Sequence, residues 1–156
     1  MNVEAAIQAL VDAGVEFVII GGWSAILNGS AYSTNDLDLC FARNSENLHR
    51  LAGALAPYHP RLRDLPAGLP FVWTTLRNGT VFTLDTDLGK IDLLAEVAGL
   101  GTFEEMTTGS VATEAFGRRV RTLDLISLIK AKRAAGRDKD LAVLPELEGL
   151  LEAQEP

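Results

Sequence analysis

The residues of this 156-residue chain whose types and spacing could do chemistry begin with Gly21-Gly22-Trp23-Ser24 and, further on, Asp36-Leu37-Asp38. In an extended segment, carboxylates at i and i+2 leave the same face about 7 Å apart. Both can therefore reach one pair of divalent cations. Two such ions about 3.5–4 Å apart bridge a triphosphate when hard oxygen ligands are supplied. The glycines answer a second need. With no Cβ at Gly21 and Gly22, a phosphate comes close to the backbone, the N–H groups that open the following helix point at it, and the Ser24 hydroxyl adds a donor. The only histidines and cysteine are His49, His59 and Cys40. These cannot make a zinc site of the Cys/His kind, so metal chemistry here must use carboxylates.

The elements that must position these residues follow from apolar periodicity. Ala6, Ile7, Leu10 and Val11 predict a helix over 4–13 capped by Gly14, and Val15–Ile20 a buried strand that runs into the glycines. Trp23–Leu27 reads as a short helix stopped by Asn28-Gly29. Asp36–Phe41 alternates, placing Asp36, Asp38 and Cys40 on one face and Leu37, Leu39 and Phe41 on the other. Asn44-Ser45 opens a helix that ends at Pro57, and residues 57–70, with four prolines, read as a surface loop. Phe71–Leu76, Thr80–Asp85 and Lys90–Leu94 are expected strands of an antiparallel sheet, turned at Asn78-Gly79 and Leu88-Gly89. A hairpin of Val111–Ala115 and Arg118–Thr122 follows, then a helix over Leu125–Ala135 ended by Gly136. The last helix runs from Asp138 to about Leu151, with Pro145 breaking or opening it.

Composition narrows the class. A net charge of −7 and 47% apolar residues describe a globular chain. Charge is polarised: residues 117–139 hold eight basic and two acidic side chains, a net of +6, and the remainder carries −13. An acidic part that holds cations and a basic part that meets phosphate suit such a split, and the acidic balance argues against a broad double-stranded DNA footprint. The longest apolar run, Phe17–Ile20, is too short to span a bilayer. One cysteine and no basic-then-apolar leader pattern point to a reducing cytoplasm. No repeat or linker interrupts the chain, so a single domain 1–156 is expected, with a sheet core over 1–122 and C-terminal helices over 123–156.

The order strand, Gly-Gly-x-Ser, short helix, Asp-Leu-Asp strand resembles the signature of the nucleotidyltransferase superfamily related to DNA polymerase beta. The resemblance implies an α+β nucleotidyltransferase fold, a mixed β-sheet flanked by helices with further helices at the C-terminus. It implies Asp36 and Asp38 as ligands of two Mg²⁺ ions, with Mn²⁺ as a substitute, and an NTP as co-substrate. The family's third carboxylate, on a later strand, matches Asp92, which would ligate the catalytic ion and assist deprotonation of the acceptor; Asp85 and Asp87 rank second for that role. The segment Leu123–Leu141 is similar to the C-terminal helices of small bacterial nucleotidyltransferases grouped with the AbiEii/AbiGii toxins. That similarity implies Lys130 as a contact to the β- or γ-phosphate, with Arg137 and Lys139 as further candidates. The activity implied is transfer of a nucleoside monophosphate to a hydroxyl of RNA, tRNA or protein, in a toxin-like setting with an antitoxin partner. The alternatives are a small hydroxylated acceptor, as in the antibiotic nucleotidyltransferases, and a regulatory module that binds nucleotide without turnover.

Overall fold

The computed structural model describes residues 1–66 and 70–155. In chain order the helices are α1 Val3–Asp12, α2 Gly21–Leu27, α3 Ser45–Leu55, α4 Trp73–Arg77, α5 Phe103–Met106, α6 Leu125–Ala135, α7 Asp138–Ala142 and α8 Leu144–Gln154. The strands are β1 Phe17–Ile20, β2 Asp36–Phe41, β3 Arg61–Leu62, β4 Val81–Thr86, β5 Gly89–Leu94, β6 Glu96–Val97, β7 Gly101–Thr102, β8 Ser110–Ala115 and β9 Arg118–Leu123. Seven strands form one mixed sheet in the order β3-β4-β5-β2-β1-β9-β8, while β6 and β7 pair separately. The pairs β2–β5 and β1–β9 are parallel; the other neighbours in the large sheet are antiparallel.

Each sheet face buries a different set of side chains. On one face Ile19, Leu37, Leu39 and Ile91 pack with Ile7 and Leu10 of α1 and the apolar stripe of α3. The other face carries Val18, Ile20, Cys40 and Leu123 beneath Leu128 and Ile129 of α6 and Leu147 of α8. The period-two alternation of β2 is what sends Leu37, Leu39 and Phe41 into the first core and leaves Asp36 and Asp38 on the second face. Burial pushes the Cys40 thiol up to about 12, with Glu104 and Glu96 adding to the effect, so this cysteine is an inert packing residue.

Local chemistry sets the boundaries. Asn2, Asn44 and Asp124 cap α1, α3 and α6 by accepting hydrogen bonds from Ala5, Asn47 and Ser127 backbone amides at 3.1, 3.0 and 2.7 Å. The fully buried Asn47 then ties α3 to the sheet. Its Oδ1 accepts from the Glu16 amide at 2.6 Å, and its Nδ2 donates to the carbonyls of Glu16 at 3.0 Å and Ala42 at 2.7 Å. One side chain thus joins the approach to β1 and the exit of β2.

Four expectations need correction. Phe71–Leu76 is not a strand: the Val72 amide donates to Thr75 Oγ1 at 3.2 Å, Trp73 stacks on His49 at 4.3 Å, and Leu76 is buried as part of helix α4. Asn78-Gly79 consequently ends that helix and makes no hairpin. The surface loop expected over 57–70 contributes β3 to the sheet edge, with Arg61 opposite Asp85 and Leu62 opposite Leu84; its residues 67–69 lie outside the described residues. The middle of the chain is not wholly antiparallel, because β5 lies parallel to β2. Finally, α2 begins at Gly21, so the glycines form its first turn.

Replacement of Asn47 by Leu leaves the Glu16 amide and the Ala42 carbonyl without their partner, at about 1–3 kcal/mol for each such group, while the Glu16 carbonyl keeps the Ala42 amide at 3.2 Å. The expected cost is about 3 kcal/mol, read by calorimetry as a fall in Tm of about 6–12 °C for a chain of this size.

Candidate active site

The acidic residues are brought together by strand register. In the parallel β2–β5 pair Asp38 lies opposite Asp92, and Asp36 lies opposite Lys90. Register partners on neighbouring strands project to the same side, so the two carboxyls meet on the face that α6 partly covers. Burial raises the Asp38 carboxyl to about 6; the charges of Asp92 and Asp36 and a hydrogen bond with the Asp92 carboxyl push in the same direction, and Lys132 pulls it back. The site therefore concentrates negative charge where water screens it poorly.

Gly21 makes this possible. It follows Ile20, which pairs with Asp38, and a Cβ at Gly21 would strike the Asp38 carboxylate. Its φ of +62° also disfavours any side chain. The space the missing Cβ leaves is filled by Asp38. Gly22 serves a separate contact: a Cβ there would lie 2.9 Å from Thr34 Cβ and 3.0 Å from Tyr32 Cε1, so it lets the segment leading into β2 fold over α2. Glu146 of α8 holds that segment, accepting from the Ser30 hydroxyl and, at 3.1 Å, from the Ala31 amide.

Opposite the carboxylates stands a basic wall. A cleft of about 330 Å³ lies between Asp36, Asp38 and Asp92 on one side and Lys132, Arg137 and Lys139 on the other. The wall is braced by Asp140, which is 1% exposed: Arg137 Nε donates to its Oδ2 at 2.6 Å and Lys132 Nζ to its Oδ1 at 3.4 Å. Burial pushes the Asp140 carboxyl up, but the Arg137 hydrogen bonds and the Lys132 charge outweigh it and hold the group below the usual carboxylate range. Asp140 thus holds both side chains at the wall of the cleft.

The remaining expected site residues are placed elsewhere. Ser24 is fully buried; its hydroxyl accepts from Thr122 Oγ1 at 2.8 Å and donates to the Leu123 carbonyl at 3.4 Å, which joins α2 to β9 rather than facing the cleft. Lys130 is exposed on α6 and does not line the cleft. Asp85 pairs with Arg63 at 3.3 Å, and Asp87 pairs with His59 and Arg61. Arg63 also reaches Asp92, its Nη2 lying 3.2 Å from Oδ1. Lys132 and Arg63 were not singled out from the sequence. Lys132 had a signal: it continues the buried stripe Leu125, Leu128, Ile129 by one further turn.

Among the described residues, no three His, Cys, Asp or Glu side chains already stand gathered to hold a metal ion. The donor set nevertheless fits a hard divalent cation. It offers carboxylate oxygens alone, two of them meeting across β2 and β5, in an acidic excess that a cation would neutralise.

That excess has a consequence for stability. The folded chain holds the Asp38 proton more tightly than the unfolded chain does, so without a cation the contribution of Asp38 to stability falls as pH rises from about 4 to about 6. Above that range Asp38→Asn is expected to melt higher than the unmodified protein, by about 6–12 °C for a difference of about 3 kcal/mol. At pH 4 the two should coincide in metal-free melting curves.

No family model and no curated protein matches the sequence. Solved structures do match the fold. A Thermotoga maritima protein described as a candidate nucleotidyltransferase superposes with a TM-score of 0.59 at 14% identity, over 94% of this chain and 90% of that one. The antibiotic-resistance factor ANT(2'')-Ia, in complex with adenylyl-2''-tobramycin, gives a TM-score of 0.57 at 18% identity, over 97% and 93% of the two chains. The lincosamide antibiotic adenylyltransferase LnuA, with lincomycin bound, gives 0.56 at 12% identity, over 92% of each. The mixed seven-stranded sheet with its flanking and C-terminal helices is thus a nucleotidyltransferase fold.

Proposed function

We propose that the protein is a divalent-cation-dependent nucleotidyltransferase that transfers a nucleoside monophosphate from an NTP to a hydroxyl and releases pyrophosphate. The observation that carries this reading is the meeting of Asp38 and Asp92 beside Gly21, facing Lys132 and Arg137 across one cleft. Asp36 and Asp38 would hold Mg²⁺ or Mn²⁺, with Asp92 completing the set. Bound there, the cation neutralises charge on the reacting phosphate and makes an acceptor hydroxyl easier to deprotonate.

The chain's own residues supply the rest. Lys132 and Arg137 meet the triphosphate oxygens and stabilise the negative charge that builds on the departing pyrophosphate. The acceptor oxygen forms a bond to the α-phosphorus while the bond from that phosphorus to the β-phosphate bridging oxygen breaks. Asp92 takes the acceptor's proton, and the electron pair of the broken bond leaves with pyrophosphate. Alignment of the two reactants does most of the work, since phosphoryl transfer asks little covalent chemistry of side chains.

A small hydroxylated acceptor is the reading best supported. Two of the structures that share this fold, ANT(2'')-Ia and LnuA, act on or hold antibiotics, and this chain spans nearly their whole length. RNA, tRNA or protein as acceptor, with an antitoxin partner, is the competing outcome of the same assay.

The test is to incubate the protein with α-labelled NTPs and Mg²⁺, separately with hydroxylated antibiotics, a metabolite extract, total RNA and a protein fraction. Label should enter the small-molecule fractions, and Asp38→Asn should reduce it by about 100- to 1000-fold. Label confined to RNA or protein would reverse the acceptor assignment. Absence of label everywhere, together with no effect of any NTP on melting, would end the transferase reading.

A further inference from the structure

We propose that Arg63 is the resident counter-cation of the carboxylate cluster, a positioning residue that keeps Asp92 paired and makes divalent-cation binding depend on nucleotide. The inference rests on reading the cleft as a nucleotide site. Arg63 lies just beyond β3, the two-residue edge strand that the sheet adds in front of β4. Three of its contacts do not involve the acidic cluster: its backbone amide donates to the Thr83 carbonyl at 2.9 Å, Nη2 to the Leu84 carbonyl at 3.0 Å, and Nε to Asp85 Oδ1 at 3.3 Å. The fourth does, with Nη2 donating to Asp92 Oδ1 at 3.2 Å.

These anchors fix the guanidinium whether or not Asp92 is engaged elsewhere. A guanidinium keeps its charge at every relevant pH. Its side chain is 25% exposed and that of Asp92 is 22% exposed, so screening by water is weak at this contact. Three consequences follow from sign alone. With no ligand present, Arg63 offsets repulsion between Asp92 and its neighbours. Toward a bare divalent cation it is a like charge held against one of the ligands, and it weakens binding. Toward a cation that arrives with a triphosphate its effect largely cancels, because the triphosphate brings an excess of negative charge. Asp85 thus acts by holding Arg63, and the short strand β3 has the task of delivering it.

The experiment titrates Mn²⁺ into the full chain at pH 7.5, with free ion read by electron paramagnetic resonance, with and without a non-hydrolysable NTP analogue. Arg63→Gln should bind Mn²⁺ alone at least about 10-fold more tightly than the unmodified protein, and the gain should shrink to about 3-fold or less with the analogue present. Its metal-free Tm should fall and be restored by Mn²⁺, whereas Arg63→Lys should stay close to the parent. In an Asp92→Asn background, Arg63→Gln should change Mn²⁺ affinity by less than about 2-fold. Should Arg63→Gln not fold, Asp85→Asn, which loosens the anchor and keeps the arginine, must show the same direction at smaller size. Mn²⁺ affinity unchanged or weakened in these variants overturns the proposal. If the analogue binds no variant, the nucleotide reading fails, and the Mn²⁺-only comparison still decides what Arg63 does.

Discussion

Repulsion between carboxylates held on neighbouring strands is the constraint around which this protein is built. Asp38 and Asp92 cannot avoid each other, because the hydrogen-bonded register of β2 and β5 sets them side by side. Asp36, two residues earlier on the same face, adds a third negative charge. The surroundings read as responses to that concentration. Gly21 gives up its side chain so that Asp38 has room, Lys132 and Arg137 stand across the cleft, and Arg63 holds Oδ1 of Asp92. An acidic cluster of this kind costs stability unless a cation completes it, and this is the physical link between fold and proposed chemistry.

Such a site needs a stiff support. The face of the sheet away from the cleft supplies it, with Leu37, Leu39, Ile91 and Leu93 fully buried beneath α1 and α3. Every second residue of β2 and β5 is thereby locked, and the intervening acidic residues inherit the same rigidity. The opposite face is only half covered: α6 and α8 pack over β1 and β9, and the uncovered remainder is the cleft. The basic segment 117–139 serves two purposes. Arg118, Arg119 and Arg121 on β9 face Asp12, Glu114 and Ser110, away from the acidic site, and only Lys132, Arg137 and Lys139 are turned to it.

Much of this arrangement was legible in the sequence, for physical reasons. The alternation of Asp36–Phe41 determines which side of β2 is acidic, and Asp124, Leu125, Leu128 and Gly136 mark both ends and the buried side of α6. What remained hidden depends on contacts between distant segments. Nothing near Phe71–Leu76 announces that Trp73 will stack on His49 and turn an aromatic and β-branched run into helix. Arg63 sits in a proline-rich stretch whose partners are fixed only when β3 joins β4. Ser24 looks like a phosphate donor beside two glycines, but its hydroxyl is taken by Thr122, nearly a hundred residues later in the chain. Lys132 is readable by extending the α6 stripe, whereas Lys130 is what the resemblance of Leu123–Leu141 implies.

The most direct test is a carboxyl ¹³C NMR titration of Asp38, with and without Mg²⁺. Burial, with the charges of Asp92 and Asp36 added to it, places its metal-free midpoint near 6, and Mg²⁺ should carry that midpoint below the ordinary aspartate range. A midpoint near 4 that Mg²⁺ leaves where it was would mean that Asp38 is an ordinary solvated acid, and the account of the site would be wrong.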